Sequence, residues 1–140
     1  MLATEGRAIG KPVLARAVEL ARAGDGAVHV LAVGRVHGSA FGMPNPGLLP
    51  TRKELEELYD EVDRVVAALE AKGLRADGQV LTTRNGAKRI VREAVARGCE
   101  AIVMGADPPR SAVRRNFMWS QEPQRVQRRS QVPVHLIEDP

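Results

Sequence analysis

Gly105 closes a short apolar run, Ala101-Ile102-Val103-Met104, and the loop beyond it concentrates groups that bind anions. Ala106-Asp107-Pro108-Pro109-Arg110-Ser111 reads as a loop that two prolines hold open, and Arg114, Arg115 and Ser120 follow it. Guanidinium groups hold phosphate bidentately, so Arg110, Arg114 and Arg115 form a candidate phosphate-binding set. The competing reading of these arginines is a solvated loop surface. The run before Gly105 does not alternate and ends in a turn signal, as a strand buried on both faces does. In open parallel sheets, ligands bind just past the carboxyl ends of such strands.

A second phosphate candidate is Gly6-Arg7-Ala8-Ile9-Gly10-Lys11. The P-loop pattern G-x-x-x-x-G-K-[ST], set in register with Gly10-Lys11, puts Glu5 at the first glycine and Pro12 at the hydroxyl. Two defining positions fail, and Lys11 reads as a first-turn surface lysine. No G-x-S-x-G elbow is present to support a serine nucleophile. Cys99, the single cysteine, has no histidine beside it in sequence and reads as a small, partly buried residue. His29, His37 and His135 are scattered, without an H-x-x-x-H pair or an acidic cluster, so no metal site is expected.

The elements that must position these residues alternate in type. Leu2-Ala3-Thr4 is a short first strand, either truncated or continued upstream of Met1. A helix is expected from Pro12 to Ala23, proline suiting its first position, with Leu14, Ala17, Val18 and Ala21 as its buried stripe. Ala27 to Val33 is a second strand. Gly34 to Pro50, rich in glycine and proline, reads as a surface loop. Thr51 and Glu54 make a capping box for the longest helix, whose apolar face is Leu55, Leu58, Tyr59, Val62, Val65, Val66 and Leu69. A third strand around Gln79–Thr82 leads to a helix from Asn85-Gly86, with Ala87, Ile90, Val91, Ala94 and Val95 facing inward. After the strand at Ala101 come a helix through Gln124–Arg129 and a last strand, Val132 to Ile137. Short apolar strands alternating with helices specify a parallel sheet covered on both faces, an α/β fold.

Composition narrows the function. A chain of 140 residues is expected to form one domain, residues 1–140, with a two- or three-layer core. No apolar run reaches the roughly 20 residues of a membrane helix, and the start lacks the pattern of a signal peptide. With one cysteine, an internal disulfide is excluded, and a cytoplasmic location is expected. The net charge of +4 admits an acidic partner. Aromatics are only 3% of the chain, too few to stack on single-stranded bases, so nucleic acid is not the expected partner.

The tail resembles the end of the universal stress protein family. Members typically close with a strand ending V-x-G, a loop G-x2-G-x9-G-[ST], a helix containing R-V and a strand led by P-V. Val103-Met104-Gly105, Arg125-Val126 and Pro133-Val134-His135-Leu136-Ile137 match. The loop matches only at Gly105. Its second glycine falls on Pro108, and its third on Met118 or, counted back from Arg125-Val126, on Ser120.

The resemblance implies an open five-stranded parallel sheet in the order 3-2-1-4-5, with the ends of the first and fourth strands, Glu5 and Gly105, side by side. It also implies a homodimer paired through the last strand, where Val132, Val134, Leu136 and Ile137 form an apolar edge. Family members that bind ATP use an aspartate where this chain has Glu5, and glycine amides where it has Pro108, which has no N–H to offer. Phe117, Met118 and Trp119 fall where the family has small residues, and are expected to fill the cleft. The expectation is a dimeric, non-enzymatic stress-response or regulatory protein without a standard ATP site and with no cofactor. The alternative is ATP with magnesium, bound and slowly hydrolysed through a modified loop, with Glu5, Val33, Gly105, Arg110, Arg114 and Ser120 as contacts.

Overall fold

The structure, a computed structural model, describes residues 1–36, 49–107 and 122–139. Among these residues nine elements follow in order: β1 (Leu2–Thr4), α1 (Lys11–Ala23), β2 (Ala27–Arg35), α2 (Arg52–Ala71), β3 (Arg75–Thr83), α3 (Gly86–Ala96), β4 (Ile102–Ala106), α4 (Glu122–Arg129) and β5 (Val134–Glu138). The strands form one sheet in the order β3-β2-β1-β4-β5, every pair parallel, as expected.

Parallel strands need helical crossovers, and those helices bury both faces of the sheet. On one face Leu2, Val28, Val30, Ala32 and Val103 pack against Val13, Ala17 and Val18 of α1 and Val62, Val65 and Leu69 of α2. On the other, Ala3, Leu31, Val33, Ile102 and Met104 meet Ala87, Ile90 and Ala94 of α3 and Val126 of α4. The period-two alternation along β2 assigns its side chains to the two layers in turn. β1 is only three residues long, all buried, because it lies between β2 and β4 and its edges and faces are all covered.

Several boundaries move outward from the sequence reading. β2 continues through Gly34 and Arg35, and β3 starts at Arg75, because the two pair without a break from Ala27↔Arg75 to Arg35↔Thr83. The expected loop therefore begins after Arg35, and its residues 37–48 lie outside the described ones. In α1, Val13 is buried where Leu14 was expected, and Leu14 is half-buried. Tyr59 and Val95, placed by spacing on the inner faces of α2 and α3, are exposed by 53% and 63%. The capping box of α2 forms as read: the Thr51 hydroxyl accepts from the Glu54 N–H at 3.1 Å.

Candidate functional site

Glu5 leaves β1 into a turn that folds back over the end of β4. Gly6 adopts φ +113°, open to glycine at little cost, and the Thr4 hydroxyl donates to the Arg7 carbonyl at 2.6 Å. The β1–β4 register pairs Ala3 with Met104, which brings Glu5 and Gly105 to the ends of neighbouring strands as expected. The Arg7 stem lies across Gly105, 3.3 Å from where a Cβ would stand, and its guanidinium hydrogen-bonds Asp107 at the end of β4. The crevice between β1 and β4, where ligands enter such sheets, is thus bridged by the chain's own ion pair.

The Glu5 carboxylate is 5% exposed, and its oxygens meet no hydrogen-bond partner among the described residues. Burial pushes its pKa up to about 7, and the carboxylates of Glu122 and Asp107 push the same way. The dipole of its own N–H and the Arg7 guanidinium, 3.9 Å away, pull against them without prevailing. Glu5 therefore holds a proton into the neutral range, unlike a solvated glutamate.

Opposite Glu5, the first residue of α4 turns inward. The Glu122 side chain is only 4% exposed, and three donors converge on it. Its Oε2 accepts from the Ala87 N–H at the start of α3 at 2.9 Å, while Oε1 accepts from Arg35 and Arg125, each at 3.0 Å. An N–H at a helix start faces outward with partial positive charge, so it suits an anion. The carboxylate fills that place. Val33 belongs to the buried layer beneath α3, and between Val33, Glu5, Gly86 and Glu122 there remains a cavity of about 10 Å³, room for one water-sized group.

The start of α1 shows the same device. Gly10 donates its N–H to Asp139 Oδ2 at 3.0 Å, and a side chain at Gly10 would run into that carboxylate. Neighbouring Ile9 is held from both sides: its N–H donates to Glu61 Oε1 at 2.7 Å and its carbonyl accepts from Arg64 at 2.8 Å. The stretch that failed the P-loop test thus ends in an amide occupied by an acid of the same chain.

Of the candidate contacts, Glu5, Val33 and Gly105 come together at the carboxyl end of the sheet. Arg110, Arg114 and Ser120, with Pro108, Arg115, Phe117, Met118 and Trp119, lie outside the described residues. Sequence reasoning missed Arg7, Arg35, Asp107, Glu122 and Asp139. Glu122 and Arg125 sit at helical i, i+3 spacing, which in sequence looks like a solvated pair. Only the approach of α3 to α4 buries it. His29 and Cys99 lie at the other end, lining an open groove of about 660 Å³, with His29 Nδ1 2.9 Å from Asp77 Oδ1.

The model of the universal stress protein family matches residues 1–138. The chain belongs to that family. A search of curated proteins returns no match. Among solved structures, a universal stress protein from Archaeoglobus fulgidus is similar at 19% identity and a TM-score of 0.70, covering 98% of this chain and 96% of that one. A universal stress family protein from Burkholderia pseudomallei is similar at 21% identity and a TM-score of 0.69, covering 99% and 94%. The Archaeoglobus fulgidus universal stress protein in complex with dAMP is similar at 19% identity and a TM-score of 0.68, covering 98% and 94%. At such identities the likeness is one of fold. Within this universal stress protein, the described residues at the carboxyl end of the sheet form an ionic cluster around a cavity of about 10 Å³, room for one water-sized group.

Proposed function

We propose that this universal stress protein is a non-enzymatic stress-response or regulatory protein of the cytoplasm, that it acts as a homodimer through β5, and that it does not bind ATP. The observation that carries the reading is the seat of Glu122. A carboxylate of the chain itself takes the α3 N–H and two arginines, and it leaves about 10 Å³ beside Glu5. A nucleotide whose anionic end sought the α3 N–H would have to displace it, break the Arg35 and Arg125 contacts, and lie beside Glu5. Pro108 removes a further amide from the loop where phosphates would rest. Its action then runs through contacts with other proteins.

A second reading is favoured by one observation: a relative of the same fold is described in complex with dAMP. Under it the chain is a nucleotide-dependent switch, with Arg110 and Arg114 doing what glycine amides do elsewhere. Calorimetric titration with ATP and Mg²⁺ separates the two. The expected trace is heat of dilution alone. Stoichiometric micromolar binding, weakened by Arg114→Ala, would establish the switch instead.

A further inference from the structure

Three donors converge on Glu122, and the charges around it do not balance. Arg35 and Arg125 bring two positive charges, and among the described residues neither pairs with any other carboxylate. The Ala87 N–H adds the positive end of the 11-residue helix α3. Against these, in direct contact, stands one carboxylate, with the buried Glu5 carboxyl near enough to feel its charge. The Glu5 carboxyl, buried, 3.9 Å from the Arg7 guanidinium and without a hydrogen-bond partner among the described residues, lines the same small cavity. When neutral it offers an O–H donor toward that space.

We infer that the Ala87 N–H, Arg35 and Arg125 form a binding site for a phosphate dianion, which Glu122 fills as an internal ligand. The site takes the phosphate when the start of α4 withdraws that carboxylate. A dianion matches two guanidinium groups better than a single carboxylate does, and both arginines can grip it through paired N–H groups. Arg35 and Arg125 have side chains 26% and 42% exposed, so the ligand would enter from their side. The inference rests on the reading that Glu122 closes the cleft, and it adds what the closed seat is built to hold. Glu122 then sets a threshold: phosphate binds only as far as it outcompetes a tethered acid.

The test uses inorganic phosphate on the full chain, read by calorimetry and by the amide resonance of Ala87. Glu122→Ala vacates the seat and is expected to tighten phosphate binding about tenfold or more over the unmodified chain, since a charge-assisted competitor is gone. Glu122→Gln keeps the shape but removes the charge, and is expected to move in the same direction by a smaller factor. It also serves if the alanine variant fails to fold. Adding Arg35→Ala to either variant should abolish the gain. Adenosine monophosphate, run in parallel, separates the sources: equal affinity assigns the site to free phosphate, and tighter binding assigns it to a phosphate monoester. Equal phosphate affinity in the unmodified chain and both variants would overturn the inference, as would a gain that survives Arg35→Ala. Because the unmodified chain's response to ATP is a separate measurement, the earlier reading and this one can fail independently.

Discussion

Glu5 combines deep burial with an acid's ordinary preference for water, and that conflict has a measurable consequence. In the unfolded chain its pKa is near 4.5, and in the folded protein it is about 7. Below the lower value both states hold the proton, and Glu5 adds no pH dependence. Between the two values only the folded state holds it, so stability falls as pH rises through this window. Above it the loss is complete, on the order of 3 kcal/mol for a shift of this size. Glu5→Gln should therefore raise the urea midpoint at pH 8 while leaving it nearly unchanged at pH 4, flattening the profile between. A variant with the parent's slope would show that Glu5 is solvated. Little of this was legible in the sequence. The position of Glu5 after the first strand could be read, but not the burial that shifts it. Nor were the charges that act on it legible, since besides Arg7 they are Asp107 and Glu122, both more than 100 positions away in the chain.

At the level of elements, local signals were enough where one segment carries its own information. The Thr51 box fixed the start of α2, and the apolar threes and fours identified its buried Val62, Val65 and Leu69. The same spacing overreached at Tyr59 and Val95, which lie at the margins of their stripes and stay exposed. Contacts between elements were not legible. Gly78 is the clearest case, a glycine inside β3 that periodicity leaves unexplained. A Cβ there would strike the Val62 side chain of α2 and stand 3.2 Å from Val66 and 3.3 Å from the Val30 carbonyl. Its absence lets α2 settle onto the sheet. Gly78→Ala should destabilise the fold by about 1–3 kcal/mol, visible as a lower denaturation midpoint. An unchanged midpoint would mean that α2 packs more loosely than these distances require.

For the molecule as a whole, strand order and layering follow from the alternation of elements, while the state of the cleft depends on where five scattered charged residues meet. β5 stands at one end of the sheet with Val134, Leu136 and Ile137 half-buried, an edge that invites a further strand. The proposed homodimer covers it by two-fold pairing, and sedimentation equilibrium should return twice the chain mass. A species at the single-chain mass across micromolar concentrations would remove that proposal. No helix among the described residues is long and apolar enough to cross a membrane. The claim on which the functional account turns is that Glu122 and Asp139 already occupy the helix-start amides facing the carboxyl end of the sheet. Its most direct test is the ATP and Mg²⁺ titration followed at the Ala87 and Gly10 amide resonances. The account predicts that neither resonance moves at millimolar nucleotide; saturable shifts of both at micromolar concentrations would contradict it.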